Sequence, residues 1–184
     1  AIKGMGASAA DSIVRERMEN GPYKDIYDFA ERVDLSNVNR KAFESLAYSG
    51  GFDSFGLQRE QYFAVTGKGD LFLDTIVRYG QLFQAEKAQQ QNSLFGGMDA
   101  IDVVHPIAPK AEKWPVIEKL NKERELVGIY LSAHPLDEYS VVLNNMCNTR
   151  CSMIGRNANM TELAKADEVT FGGIVTSVNE RFSQ

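Results

Sequence analysis

A glycine-rich turn near the amino end of the chain constrains the local fold more than any other feature of the sequence. The run Ile2-Lys3-Gly4-Met5-Gly6 is followed directly by Ala7-Ser8-Ala9-Ala10, whose composition favours a helix. Glycine accepts positive φ angles and lets other groups approach the backbone closely. The pattern therefore predicts a tight hairpin, anchored in a core by Ile2 and Met5, with a helix starting immediately after it.

The start of that helix gives the hairpin a chemical use. The first N–H groups of a helix have no partner within the helix, and the helix dipole adds partial positive charge at the same end. A phosphate group fits such a site without any basic side chain. We expect the backbone-binding residues to be Lys3, Gly4, Met5, Gly6 and Ser8. The alternative is an ordinary helix-turn-helix corner, in which the glycines only permit the turn.

Apolar residues recur at helical spacing along most of the chain, which predicts a mainly α fold. The predicted helices cover residues 7–21, 26–33, 40–48, 58–65, 71–84, 114–134 and 136–146. A second glycine turn, Ser49-Gly50-Gly51, follows the third predicted helix, and we expect its three residues to contact phosphate as well. A purely structural turn is the alternative there. Together the two turns resemble the tandem helix-hairpin-helix arrangement of DNA repair and replication proteins, which contacts phosphates rather than bases.

Net charge and hydrophobic pattern limit the classes of function. A formal net charge of -5 argues against a broad electrostatic surface for nucleic acid, so binding to double-stranded DNA is expected to be weak and independent of base sequence. No apolar stretch is long enough to span a membrane, and none is flanked like a signal peptide. We therefore expect a cytoplasmic protein that does not bind membranes. Because the chain begins without Met and ends just after a strand-like run, we expect an internal fragment of a longer polypeptide.

Several further motifs occur in one order and at characteristic spacings. They are Asn20-Gly21-Pro22-Tyr23, Asn39-Arg40-Lys41, Gly50-Gly51-Phe52-Asp53 and the run from Glu125 through Ser132-Ala133-His134-Pro135 to Asp137. With the first hairpin, they resemble the C-terminal part of the bacterial replicative DNA polymerase III alpha subunits over nearly the whole chain.

The resemblance implies an organisation in four segments. Residues 1–84 would form a tandem helix-hairpin-helix domain that contacts duplex DNA, and residues 85–113 an extended linker that carries a clamp-binding motif. Residues 114–165 would form a helical connector, and residues 166–184 the first strand or strands of a truncated oligonucleotide-binding (OB) barrel. The β-forming composition of residues 169–178 agrees with this last expectation.

The linker contains the run Gln91-Asn92-Ser93-Leu94-Phe95, which looks like a sliding-clamp-binding peptide. In such a peptide the glutamine bonds to the rim of a pocket, and the two apolar side chains fill it. We expect Gln91, Ser93, Leu94 and Phe95 to bind the clamp. The alternative is that Leu94 and Phe95 pack on their own domain. Other replicase subunits would join through the parent protein.

Catalytic and metal-binding residues are not predicted in this chain. Polymerases of this family use aspartates and Mg²⁺ in a palm domain, and no matching aspartate cluster occurs here. The expected fragment therefore needs no cofactor and is inactive alone. We considered His134, Cys147 and Cys151 as zinc ligands and set them aside, because the Cys-x3-Cys spacing lacks a second close pair.

Two other functions remain open from the residues alone. One is a helix-hairpin-helix scaffold or subunit of a DNA-repair protein without polymerase activity, and the other is a structural connector that binds no ligand. We predict that Trp114, Tyr130 and Tyr139 pack between helices rather than stack on bases.

Overall fold

The computed structural model describes residues 2–92, 103–149, 168–175 and 178–181. Two compact units divide the chain, Ala1–Leu131 and Ser132–Gln184. The described residues are mainly helical, as predicted, and the first unit contains both glycine turns.

Three helices follow the first turn, each close to its predicted position. They are α1 (Ala7–Asn20), α2 (Ile26–Arg32) and α3 (Arg40–Ser49). The side chain of Asp25 accepts hydrogen bonds from two backbone amides at the start of α2, as a capping residue should. Asn39 caps α3 in the same way, by accepting from the amide of Ala42 at 3.1 Å.

The next two helices differ from their predicted lengths. Helix α4 (Arg59–Tyr62) has a single turn, because the chain then forms an antiparallel bridge between Val65 and Leu71. Helix α5 (Phe72–Asn92) has 21 residues and continues eight residues past the predicted end at residue 84. The first part of the predicted extended linker, residues 85–92, is therefore helical.

Helix α6 (Val116–Val127) is shorter than the predicted helix over residues 114–134. Gly128 follows it with φ 92°, a left-handed conformation, and its amide donates to the carbonyl of Arg124 at 2.9 Å. This is a common way to end a helix, and it stops α6 before the apolar residues that suggested a longer one.

Aromatic rings form the centre of the first unit. Phe29 of α2 lies edge-on to Phe43 and Phe52, with ring centroids 5.2 and 5.0 Å apart, and all three rings are buried. Helices α2 and α5 pack closely because α5 has a glycine at the crossing: a Cβ at Gly80 would lie 2.6 Å from the carbonyl oxygen of Ala30. This core holds the turn before α1 and the turn after α3 in fixed positions.

The second unit contains a 3-10 helix (Asp137–Tyr139) and helix α7 (Ser140–Met146). Backbone amides of Asn148 and Thr149 donate to the carbonyl of Thr170 at 3.1 and 3.2 Å. Residues 168–175, where the first barrel strand is predicted, contain no strand. The β-rich tail therefore stays a prediction.

Candidate nucleic-acid interface

The first glycine turn forms a hairpin that leads directly into α1. The amide of Met5 donates to the carbonyl of Ile2 at 3.2 Å, and Gly4 adopts φ 87°, which a residue with a side chain rarely tolerates. Gly6 is extended, with φ -71° and ψ 157°, and α1 starts at the next residue. The predicted hairpin and its helix are thus both present.

The start of α1 is open to solvent and carries no capping group. No side chain of the described residues hydrogen-bonds to its first-turn amides, and no acidic residue lies in its first turn. Gly6 and Ser8 are exposed, as are Lys3 and Gly4 in the turn before the helix. Helices α2 and α3, by contrast, each have a side-chain cap. The unpaired amides of α1 therefore form a site that favours an anion.

Contacts on three sides hold the hairpin in place. Half-buried Met5 packs on the core, and Ala9, one turn further on, is 3% exposed. The amide of Lys3 donates to the carbonyl of Leu126 in α6 at 2.8 Å. These contacts fix the hairpin before any ligand arrives, which reduces the entropy lost on binding.

The second glycine turn is built differently from the first. The amides of Gly50 and Gly51 donate to the carbonyls of Ala47 and Leu46 at 3.4 and 2.8 Å, a pair of bonds that closes the end of α3. The hydroxyl of Ser49 donates to the carbonyl of Leu46 at 3.2 Å. These donors are used within the chain, which favours the structural turn given above as the alternative. Phosphate contact by Ser49, Gly50 and Gly51 stays a prediction.

A buried ion-pair network lies against this second turn. Arg59 of α4 bonds to Asp53 at 2.5 Å and to Glu123 of α6 at 2.6 Å. Hydrogen bonds that the Arg59 guanidinium donates to Asp53 and then to Glu123 raise its pKa above the usual value, despite its burial. A Cβ on Gly50 would collide with the guanidinium of Arg59, so the glycine also makes room for the network. The network joins α6 to the turn after α3.

The predicted clamp-binding run begins in the last turn of α5, which contains Gln91 and ends at Asn92. Ser93, Leu94 and Phe95 lie outside the described residues. After the run, residues 103–109 pack against the helical part of the first unit. The hydroxyl of Tyr27 donates to the carbonyl of Pro106 at 2.5 Å, and the side chain of Gln61 donates to the carbonyl of Pro109 at 2.9 Å. Both flanks of the run are thus attached to the same unit.

The aromatic residues predicted to pack between helices differ in outcome: Trp114 packs against other rings, whereas Tyr139 is 56% exposed and does not pack between helices. Trp114 stacks near Tyr48 and Phe63, with centroids 5.7 and 5.5 Å away, and Lys122 lies 5.1 Å from its ring centroid. Among the described residues, no group of three or more histidine, cysteine or acidic side chains could hold a metal ion. Cys151, one of the rejected zinc ligands, is outside those residues. None of the helices described is both long and apolar enough to cross a membrane.

One residue near the hairpin could not be connected with the glycine turn from the sequence. Lys41 of α3 lies beside Gly4: a Cβ built on that glycine would be 3.4 Å from the Lys41 Cε atom. The two residues are 37 positions apart in sequence, so no local spacing could have brought them together in a prediction.

Comparison with known proteins also identifies a helix-hairpin-helix region in this chain. The family model for the helix-hairpin-helix motif matches residues 1–62. The chain is 31% identical to the DNA polymerase III subunit alpha of Xylella fastidiosa over 98% of its length, and 32% identical to that of Caulobacter vibrioides over all of it. The Mycobacterium leprae protein of the same name is also 32% identical over the whole chain. The chain spans only 15–16% of the length of these curated relatives.

Proposed function

Because this chain belongs to the DNA polymerase III subunit alpha family, we propose that it forms a non-catalytic part of a replicative DNA polymerase. In this role it holds duplex DNA by its phosphates and tethers the polymerase to the sliding clamp. The proposal assigns nucleotidyl transfer, with its Mg²⁺, to parts of the parent outside these residues. A role in replication places the chain in the bacterial cytoplasm, beside the other replicase subunits.

One observation carries the DNA-binding half of the proposal: the exposed, uncapped start of α1 directly after a glycine hairpin. A backbone phosphate is the anion that a helix-hairpin-helix motif would meet, and amide donors contact it without selecting bases. The chain as a whole has net charge -5, so affinity is expected to be low and to fall as salt rises.

A carboxylate in the first turn of α1 provides a sharp test. Ser8→Glu should stabilise the helix by about 0.3–1 kcal/mol, since the negative charge faces the positive end of the dipole. The same charge should repel phosphate and weaken binding to a duplex about tenfold at low salt. Met18→Glu adds an equal charge at the other end of α1, where the side chain is 79% exposed, and serves as the matched control.

Fluorescence anisotropy with a labelled duplex measures the affinity of both variants. We expect Ser8→Glu to lose affinity while its thermal stability stays equal or rises, and Met18→Glu to bind like the unaltered chain. If both variants bind equally well, the start of α1 is not the phosphate site.

The clamp-binding half of the proposal rests on the run Gln91-Asn92-Ser93-Leu94-Phe95 and on the attachment of both of its flanks to the first unit. Burial of a leucine or phenylalanine side chain contributes about 1.5–3 kcal/mol, and ordering the segment offsets part of it. A lone peptide of this kind should therefore bind weakly, on the order of 1 μM. Attachment beside a DNA-bound polymerase raises the effective concentration of the clamp, which supports processive synthesis.

Leu94→Ala combined with Phe95→Ala should abolish binding to the sliding clamp in isothermal titration calorimetry. The circular dichroism spectrum should not change, because the proposed partner of Leu94 and Phe95 is the clamp rather than their own domain. Leu82→Ala, which truncates a 53% exposed leucine on α5, is the control and should bind normally. Unchanged clamp affinity in the double variant would reject the tether.

A further inference from the structure

The surface of α3 beside the hairpin carries charged residues. Lys41 and Glu44 lie one turn apart on this helix, and Arg40 precedes them. The Lys41 ammonium is 3.2 Å from a carboxylate oxygen of Glu44, and the Arg40 guanidinium is 2.8 Å from the other oxygen. One carboxylate thus contacts two cations beside the hairpin, and Arg40 also donates to Asp74 of α5 at 2.5 Å.

The hairpin and α3 are in direct contact at Gly4. A Cβ on this residue would lie 2.7 Å from the Ser45 Oγ atom and 3.4 and 3.6 Å from the Cε and Cγ atoms of Lys41. The absence of a side chain at Gly4 therefore lets the Lys41 stem run along the hairpin backbone. A ligand bound at the hairpin would meet the Lys41 ammonium as well as the amides.

A second observation points to a missing ligand at this contact. The hydroxyl of Ser45 faces Gly4, the residue is 1% exposed, and the oxygen has no hydrogen-bond partner among the described residues. A buried hydroxyl without a partner is destabilising, and most such groups in folded proteins have one. The unmet donor lies on the hairpin side of α3, next to Gly4.

We infer that Lys41 is a phosphate-contacting residue of the hairpin, and that Glu44 holds its ammonium until DNA displaces the carboxylate. The inference rests on the proposed function and adds α3 to the phosphate site. The Lys41 side chain is 58% exposed, so it reaches a phosphate without a change in the fold. An ion pair this exposed contributes little to stability, about 0–1 kcal/mol by general experience, so a phosphate can replace Glu44 readily.

The matched comparison uses Lys41→Gln and Lys24→Gln in the 184-residue chain. Both lysines are exposed, and glutamine retains most of the side-chain stem. Lys24 lies beyond the far end of the 14-residue helix α1, about 20 Å from the hairpin by helical rise. Anisotropy with one labelled duplex, measured over a series of salt concentrations, gives the affinity and its salt slope for each variant.

The two lysine variants should differ. Each phosphate contact contributes about 0.9 to the slope of log affinity against log salt, so Lys41→Gln should reduce the slope by about 0.9 and weaken binding on the order of tenfold at low salt. Lys24→Gln should leave the slope unchanged. Equal slopes for the two variants would overturn the assignment of Lys41.

Glu44→Gln tests whether the Glu44 carboxylate competes with phosphate for Lys41. The expected change in DNA affinity is opposite in sign to that of Lys41→Gln. Freed from the carboxylate, Lys41 should bind phosphate more tightly, and affinity should rise about threefold or more. Glu19→Gln removes the same charge from an exposed position near the far end of α1 and should have a smaller effect. If Glu44→Gln and Glu19→Gln raise affinity equally, Glu44 does not compete with DNA for Lys41.

These results separate the inference from the proposed function. If the unaltered chain binds duplex DNA and Ser8→Glu weakens it, but Lys41→Gln behaves like Lys24→Gln, only the inference fails. If the unaltered chain shows no salt-dependent binding to the duplex, the proposed function fails and the inference fails with it.

Discussion

Glu123→Gln should destabilise the first unit strongly, because it removes a buried charge that joins three parts of the chain. Glu123 is fully buried in α6. One of its oxygens is 2.6 Å from Arg59 of α4, and the other accepts a hydrogen bond from the amide of Leu131 at 2.9 Å. Glutamine keeps the volume and one acceptor but leaves Arg59 without its buried counter-charge.

The size of the effect follows from which partner remains. Removal of one member of a buried ion pair typically costs about 3–5 kcal/mol. Arg59 keeps a second partner, Asp53, whose side chain is 49% exposed and only 2.5 Å away. We therefore expect the free energy of unfolding to fall by about 3 kcal/mol, the lower end of that range. This is a large share of the roughly 5–15 kcal/mol that stabilises a typical domain.

Urea unfolding followed by the fluorescence of Trp114 measures this change. Trp114 is the only tryptophan in the sequence and lies in the first unit, so its signal reports on that unit. Glu125→Gln, at an exposed position on the same helix, is the control and should change stability by less than about 0.5 kcal/mol. Replacing the pair together, with Arg59→Met and Glu123→Leu, should restore much of the loss. Equal stability of Glu123→Gln and Glu125→Gln would refute the reasoning.

Two further predictions concern the hairpin and the alkaline stability of the first unit. Gly4→Ala should lower the free energy of unfolding by more than the roughly 1–2 kcal/mol expected for a side chain at positive φ, because the new methyl group collides with Ser45. Gly128→Ala is the control, since Gly128 has a similar φ of 92° and no atom within 4 Å of its Cβ position. Urea unfolding of both variants measures the difference, and equal losses would show that the contact with α3 is unimportant. Burial, aided by nearby Glu16, raises the pKa of Tyr23 from 10.0 to about 12, so its contribution is complete below pH 10 and is lost as the pH rises toward 12. Tyr23→Phe should flatten this fall in unfolding free energy, and an identical pH dependence in the variant would contradict the assignment.

Local patterns predicted the parts of the fold that local chemistry determines. Helices α2 and α3 start at the predicted residues, where the side chains of Asp25 and Asn39 cap the first amides. The hairpin before α1 was predicted from its glycines, and Gly4 has the positive φ that the pattern requires. These features depend on residues within one or two turns of each other.

Two of the misplaced helix ends, those of α5 and α6, have reasons in the local sequence. The polar tract before Ser93 was interpreted as linker, but its alanine, glutamine, glutamate and lysine residues are good helix formers, and α5 continues through them to Asn92. The apolar spacing that runs to Leu131 hid the stop at Gly128, where the backbone turns left-handed. Composition favoured an end of α5 that was too early, and apolar periodicity favoured an end of α6 that was too late.

The different hydrogen bonding of the two glycine turns could not be predicted from the sequence. A glycine after a helix either presents its amide to a ligand or closes the helix, and at Gly50 and Gly51 the amides close α3. The partner that fills the space beside Gly50 is Arg59, which is paired in turn with Glu123, 64 positions further along the chain. Contacts at this separation leave no local pattern, and the same holds for Lys41 beside Gly4.

Salt titration of duplex binding tests the central claim most directly. The affinity of the unaltered chain for two duplexes of equal length and unrelated sequence is measured by anisotropy from low to moderate salt. If the hairpin holds backbone phosphates through the start of α1, both duplexes should give the same affinity and the same negative salt slope, and Ser8→Glu should weaken both equally. Affinity that depends on base sequence, or that is insensitive to salt and to Ser8→Glu, would contradict the account.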